Sequence, residues 1–186
     1  LVNIIYKFWK DEKYDPSIFH EIVLKLLPKN GDLSNLNKWR GIALLDICSK
    51  IISSILASRL EQHFRTFADE AQCGSLKQKG CTDANFAVST CIQTLREHGQ
   101  STYCLFIDLV KAYNTVNREM LWKILSIYGV PQTIVNILKK LYNDTTIFMN
   151  YDNISTTFKS TCGVKQGDNL APILFVIFLN AVAETL

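Results

Sequence analysis

A mostly apolar run that ends in an acid, Tyr103 to Asp108, places the strongest constraint on how this chain folds. The letters "YCLFID" combine aromatic and branched side chains and predict a buried strand. An ionised carboxylate at the end of such a strand costs free energy unless a cation or a hydrogen-bond donor pairs with it. Two explanations stay open from the residues alone: Asp108 is a ligand for Mg²⁺, or it caps the next turn or pairs with Lys111.

The remaining pattern mixes helices and strands without regular alternation. Apolar residues recur every three or four positions from Ile47 to Phe64 and predict a long amphipathic helix with Asp46 as its N-cap. Further helices are predicted in "VNIIYKFWKDEKY", from Thr82 or Asp83 to Gly99, in "NREMLWKILSIYG" and in "PQTIVNILKKLYND". Strands are predicted in "SIFHEIVLKLLPK" and "RGIALLD", and a hairpin in "TTIFMNYDNISTTFKSTC". The expected fold class is therefore α+β.

Composition narrows the class of protein. The net charge of +3 is too small to indicate a polyanionic partner by itself. The six cysteines lack the paired spacing and nearby histidines of a zinc site, so we expect reduced, mostly buried thiols in an intracellular protein. The stretch "LAPILFVIFLNAV" is short and interrupted by Pro172 and Asn180, which favours a buried helix and no membrane partner.

The segment "GVKQGDNLAP" is a candidate ligand-binding loop. Gly163 and Gly167 bracket its polar residues, so the backbone can approach a ligand closely. Gln166 offers a donor and acceptors, and Lys165 offers charge for a phosphate. An ordinary turn before a helix would have the same composition.

A basic projection is a third candidate. The strands on either side of "NGDLSNLNKW" predict a hairpin that carries Lys25, Lys29, Lys38 and Arg40. Such side chains neutralise phosphates, and arginine can hold one with two parallel hydrogen bonds. As a charge cluster alone, it is equally typical of a solvated surface.

Four segments in order carry a resemblance to a known family. They are "LLPKNGDLSNLNKWRGIALLDICSKIISSILASRL", "QCGSLKQKGCTDA", "FIDLVKAYNTVNREMLWKIL" and "GVKQGDNLAPILFVIFLN". Together they resemble the successive motifs of reverse transcriptases from non-LTR (LINE-type) retrotransposons, over nearly the whole chain. The resemblance implies a right-hand polymerase, with fingers at about 1–82 and 117–165 and a palm at about 83–116 and 166–186.

The resemblance also implies an activity and its metal ions. The family's enzymes are RNA-directed DNA polymerases that use two Mg²⁺ ions to join a dNTP to a primer 3′-hydroxyl on an RNA template. Asp108 matches the first catalytic aspartate, and the carbonyl of Leu109 would be a secondary metal ligand. Tyr113 matches the aromatic residue beneath the sugar of the incoming nucleotide, where it would exclude a 2′-hydroxyl.

Substrate contacts follow from the same match. Arg40 corresponds to the arginine of the fingers, and Lys29 would be a second contact to the triphosphate. Gln166 and Gly167 match the pair that lies against nucleotide and template. Lys165 would contact template or nucleotide.

One motif of the family is missing from this sequence. The aromatic-x-Asp-Asp turn that supplies the other carboxylates should follow the last helix, so we expect a truncated palm, an incomplete active site and no activity from this chain alone. The resemblance further implies a longer polyprotein that binds an RNA template and a DNA primer in nucleus and cytoplasm. Two alternatives remain: a degenerate nucleic-acid-binding module, or a poorly folded fragment whose last helix exposes an apolar face.

Overall fold

A computed structural model describes residues 1–10, 13–151 and 154–185. The helices are α1 (Val2–Lys10), α2 (Ser17–His20), α3 (Ile47–Phe64), α4 (Cys81–Glu97), α5 (Ala112–Thr115), α6 (Arg118–Ile127), α7 (Gln132–Tyr142) and α8 (Ala171–Ala183). The strands are β1 (Glu21–Pro28), β2 (Trp39–Leu44), β3 (Thr146–Tyr151) and β4 (Ile154–Lys159). The mixed content confirms the predicted α+β class at this level.

The strands form one four-stranded sheet in the order β2-β1-β3-β4. Both predicted hairpins are confirmed, since β1 pairs antiparallel with β2 and β3 pairs antiparallel with β4. The two hairpins join through the parallel pair β1 and β3. The predicted turn of the second hairpin falls on residues 152–153, which lie outside the described residues. Strand β2 is an edge strand, and its free edge receives the candidate loop described below.

A helical core packs beside the sheet. Helix α3 begins where predicted, with the Asp46 carboxylate accepting a hydrogen bond from the Cys48 amide at 2.8 Å. The buried side chains of α3, α6, α7 and α8 form one apolar cluster. Helix α8 contributes Ile173, Leu174, Val176 and Ile177 to it. The expectation that the last helix exposes its apolar face is therefore wrong, because α3 and α6 cover that face.

The predicted strand at 103–108 is absent. Residues 101–109 have no regular secondary structure, and the side chains of Tyr103 and Phe106 are 96% and 87% exposed. A strand exists only when a neighbour accepts and donates its backbone hydrogen bonds, and no described strand pairs with this segment. Helix α4 has no buried residue either, and its N-cap is Gly80, whose amide donates to the Asp83 carboxylate at 2.8 Å.

Two smaller predictions also need correction. Residues 17–20 form a turn of helix before β1 begins, although their apolar letters favoured a strand. All six cysteines are free, as expected, but only Cys48 is buried. Among the described residues, no helix is both long enough and apolar enough to cross a membrane.

Candidate functional site: the KQG loop

The loop from Gly163 to Gly167, here called the KQG loop, is held between two elements by backbone hydrogen bonds. The Gly163 amide donates to the Val116 carbonyl at 2.9 Å, and the Val164 amide donates to the Tyr113 carbonyl at 2.8 Å. On the other side the Ala43 amide of β2 donates to the Gln166 carbonyl at 2.7 Å. The loop therefore connects α5 to the free edge of the sheet.

Both glycines of the loop are required by its geometry. Gly163 has φ +75°, and a Cβ atom there would lie 2.7 Å from the Asn114 carbonyl oxygen. Gly167 has φ +111°, and a Cβ atom there would lie 2.6 Å from the Ala43 carbonyl oxygen. Left-handed backbone and backbone contacts this close exclude other residues. The close approach that both glycines allow is to the backbone of Tyr113, Asn114 and Ala43, and the predicted approach to a ligand stays a prediction.

Arg118, at the start of α6, supports the loop from below. Its guanidinium donates to the carbonyls of Gly163 at 2.8 Å and Cys162 at 3.0 Å. It also donates to the Tyr142 carbonyl at 3.1 Å and to the Ser160 carbonyl and hydroxyl at 2.7 and 2.6 Å. Sequence reasoning missed this residue, because an arginine in the first turn of a helix gives no local sign that it is buried.

Lys165 lies in the loop with its ammonium turned towards the interior of the protein. Its side chain is buried, and its ammonium donates to the Leu141 carbonyl at 2.7 Å and lies 5.0 Å from the centre of the Tyr142 ring. Burial lowers its pKa to about 8. An ammonium turned inward in this way is not available to a phosphate of the substrate. In this conformation the Lys165 ammonium stabilises the interior beneath the loop, and a contact of Lys165 to template or nucleotide stays a prediction.

Asp168 follows the loop and is buried as well. Burial raises its pKa, while a hydrogen bond from the Ser53 side chain and the nearby charge of Lys165 oppose that shift. Tyr142 is fully buried between these groups, and burial raises its pKa above the usual range. The interior beneath the KQG loop thus contains the two cations of Arg118 and Lys165 and the carboxyl group of Asp168. The two cations donate to carbonyl and hydroxyl oxygens.

A cavity of about 790 Å³ opens beside the loop. One face of the sheet lines it with apolar and aromatic side chains, among them Leu24, Trp39 and Met149, and Asn114 and Gln166 supply polar atoms. The rings of Trp39 and Tyr151 meet edge to face, with centroids 5.9 Å apart. A cavity of this size and lining suits a flat ring with polar edges, such as a nucleobase.

The basic hairpin places Arg40 and Lys29 near the loop but not in the cavity. Both side chains are exposed, and Arg40 lies opposite Leu27 in the β1–β2 pairing. Gly41 and Ala43 of β2 line the cavity, so the alternation of the strand turns Arg40 to the other face of the sheet. Arg40 lies roughly 10 Å along the strand from Ala43, where the KQG loop is attached.

The three palm candidates differ in how firmly they are held. Tyr113 is half-buried, and its ring stacks on Phe175 of α8 with centroids 4.9 Å apart. Burial raises its pKa. Asp108 and Leu109 lie in the exposed segment without regular structure, and within the described ranges no hydrogen bond or ion pair joins Asp108 to Lys111. The alternative that Asp108 is held by Lys111 therefore has no support.

The described residues do not form a two-metal centre by themselves. Among them no group of three or more histidine, cysteine, aspartate or glutamate side chains is placed to hold a metal ion. Mg²⁺ is commonly held by one or two carboxylates together with waters and substrate phosphates. Asp108 fits as one such ligand, and a second ion needs further carboxylates.

The loop, the cavity and the basic hairpin together form the candidate site of a domain of mixed α and β structure. The family model described as reverse transcriptase (RNA-dependent DNA polymerase) matches residues 27–186. The chain belongs to this family, as a reverse transcriptase domain of the non-LTR retrotransposon type.

Curated relatives support the same assignment. The chain is 29% identical over 161 residues to the retrovirus-related Pol polyprotein from type-2 retrotransposable element R2DM of Drosophila melanogaster, covering 86% of this chain and 15% of that protein. It is 31% identical over 163 residues to the Pol polyprotein from type-1 retrotransposable element R2 of Popillia japonica, covering 87% of this chain and 22% of that protein. A transposon TX1 protein of Xenopus laevis is 27% identical over 154 residues, which cover 82% of this chain and 12% of that protein. The chain thus spans less than a quarter of each relative.

Proposed function

We propose that this chain is the fingers and proximal palm of an RNA-directed DNA polymerase that extends a DNA primer on an RNA template with dNTPs. Membership in the reverse transcriptase family supports the reaction class. The observation that carries the proposal is the KQG loop, fixed by its own backbone beside a cavity that fits a base. Residues of about 1–82 and 117–165 form the fingers, and about 83–116 and 166–186 form the palm.

The substrate side of the site is assigned to groups with free polar atoms. The Gln166 side chain lies at the cavity wall, where its amide can donate to and accept from a nucleotide or template base. Gly167 lets the backbone come close to that base. Lys29 and Arg40 neutralise the triphosphate from the exposed hairpin. The half-buried ring of Tyr113 limits space at the sugar and so favours dNTPs over rNTPs.

The metal side is assigned to Asp108 and the Leu109 carbonyl, together with carboxylates from another part of a longer polyprotein. Two bound Mg²⁺ ions supply activation of the primer 3′-hydroxyl and neutralisation of the leaving pyrophosphate. The exposure of residues 101–109 supports this division, because an apolar segment with unpaired backbone groups is suited to receive a neighbouring strand. The small share of each relative that the chain covers is consistent with a longer polyprotein. The chain alone is then inactive.

The reaction is tested on the whole open reading frame that encodes the chain. The purified product is expected to incorporate dNTPs on a primed RNA template with Mg²⁺, to stop when EDTA is added, and to use rNTPs poorly. The Asp15→Ala variant, which removes an exposed acid outside the four motif segments, is the control for Asp108→Ala. It shows whether losing a surface carboxylate by itself lowers the yield of active protein. Incorporation that ignores the template sequence, or none with any divalent ion, contradicts the proposal.

A nucleic-acid-binding module without catalysis is the second candidate, favoured by the lack of a metal cluster among the described residues. RNA binding by the exposed hairpin would then weaken steeply with salt. If the module binds RNA through these side chains, replacing both Lys29 and Arg40 by glutamine is expected to lower the salt slope of RNA binding by about two. Primer extension separates the two candidates, because only the polymerase extends a primer. We propose that the polymerase acts in nucleus and cytoplasm.

A further inference from the structure

Arg118 joins three segments beneath the cavity. Its five hydrogen bonds reach the end of α7 at Tyr142, the exit of β4 at Ser160 and Cys162, and the loop itself at Gly163. A planar guanidinium has enough donors in a fixed geometry to make all of these bonds, whereas the ammonium of lysine has three. The arrangement is therefore specific for arginine.

The charge of Arg118 is satisfied without a carboxylate. Every acceptor within hydrogen-bond distance of its guanidinium, in the part of the chain that the structure describes, is a carbonyl or a hydroxyl. Its guanidinium carbon also lies 5.2 Å from the centre of the Tyr142 ring. A buried cation held in this way keeps its acceptors in place, because any outward movement of a carbonyl leaves donors unsatisfied.

This geometry fixes the start of the KQG loop, and the Ala43 amide fixes its end. Gln166 is the second anchor point, because its carbonyl accepts from the Ala43 amide, and it is one of the residues that line the cavity. Arg118 is itself buried, so a bound substrate would not touch it. Its influence on a substrate passes through the residues that it holds, namely the loop at Gly163 and the cavity-lining Ser160 and Cys162.

We propose that Arg118 is a positioning residue for nucleotide binding: by clamping the carbonyls beneath the KQG loop, it holds Gln166 at the cavity wall. The expected change in the KM for dNTP rests on the proposed polymerase function. The expected loosening of the KQG loop does not. Loss of the clamp should raise the KM for dNTP and leave kcat nearly unchanged, since the reacting atoms are not displaced.

The test compares Arg118→Lys with Arg65→Lys in the product of the whole open reading frame. Arg65 is a surface residue paired with Glu61 at 2.8 Å. In Arg118→Lys, we expect the KM for dNTP to rise about tenfold with kcat within about twofold. The Val164 amide, which donates to Tyr113, and the Ala43 amide, which donates to Gln166, should exchange with solvent about tenfold faster. The exchange rate of the Leu56 amide in α3 should stay unchanged. Arg65→Lys should change none of these values.

Ser160→Ala provides the second variant, because it removes one acceptor of Arg118 and keeps the charge. It should give the same pattern at about threefold. Because Ser160 itself lines the cavity, the exchange rates of the Val164 and Ala43 amides decide the question if Arg118→Lys does not fold. The proposal is overturned if kcat falls while KM holds, if the Val164 and Ala43 amides stay protected, or if all three amides accelerate together. If the parent protein extends no primer, the polymerase proposal fails, and the exchange rates alone decide the role of Arg118.

Discussion

Two regions of the chain carry motif residues, and they are held in opposite ways. The KQG loop is attached on three sides, by α5, by β2 and by the buried guanidinium of Arg118. The region from 81 to 110, which contains α4 and Asp108, has neither a buried residue in its helix nor a strand partner among the described residues. The region that we propose to bind the substrate is thus organised within the chain, and the region that we propose to bind the metal ions is not.

The difference lies in packing rather than in composition. Both regions are rich in apolar residues, yet only the loop region lies over the helical core formed by α3, α6, α7 and α8. An exposed apolar surface of this kind marks a site of contact with something else. We expect mutations in the two regions to differ accordingly, with effects on folding for the loop and on catalysis for Asp108.

The largest expected effect is on catalysis. Asp108→Ala in the whole open reading frame should lower RNA-templated dNTP incorporation on the order of 10³-fold or more, because a metal ligand supplies several kcal/mol of transition-state stabilisation. In the chain alone the same substitution should leave the unfolding temperature unchanged, since the Asp108 side chain is exposed there. Primer extension by the longer protein and calorimetry on the chain measure the two effects. Near-normal extension would remove Asp108 from the mechanism.

A smaller effect compares one substitution in the two regions. Gly163→Ala should destabilise the fold by about 3 kcal/mol, because its left-handed backbone and its contacts with Asn114 and Tyr113 leave no room for Cβ. Gly99→Ala, where φ is +68° and nothing lies within 4 Å of a Cβ, should cost about 1 kcal/mol. Urea unfolding of the chain measures both values. Equal costs would show that the KQG loop is not tightly packed.

The smallest effect concerns pH. Below pH 8 Lys165 is protonated in both folded and unfolded chains, and its burial penalty is constant. Between about 8 and 10.5 the folded chain releases the proton while the unfolded chain keeps it, so stability rises with pH. Relative to Lys165→Met, the parent should gain about 2 kcal/mol from pH 7 to pH 9.5.

The parent and Lys165→Met both contain the groups that face Lys165, namely Asp168, Arg118 and Tyr142. The contributions of these groups to the free energy of unfolding therefore largely cancel when the two proteins are compared. Urea midpoints at several pH values give the comparison. A constant difference across this range would mean that the Lys165 ammonium is not desolvated.

Local periodicity was enough to predict most of the fold. The Asp46 cap, helices α3, α4, α6, α7 and α8 and both hairpins follow from patterns that each segment carries in itself. The strand at 103–108 could not be predicted in this way. Its apolar residues favour a strand, but a strand forms only where a partner strand is present, and the sequence of the segment does not show whether one is.

The candidate site was predictable in part for the same reason. The need for Gly163 and Gly167 can be read from the loop sequence, because glycine has few other uses at such positions. The inward turn of Lys165 and the burial of Arg118 depend on Leu141, Tyr142 and Ser160, which lie far away in sequence. Such contacts arise only from tertiary packing, so the sequence did not indicate that Lys165 and Arg118 are buried.

The central claim is that the metal side of the site is completed by another part of a longer protein. Amide hydrogen exchange of residues 103–109 tests it most directly, measured in this chain alone and in the product of the whole open reading frame. The account predicts rapid exchange in the chain and strong protection in the longer protein, with the Val164 amide protected in both. Protection of 103–109 already in the chain, or its absence in the longer protein, would contradict the account.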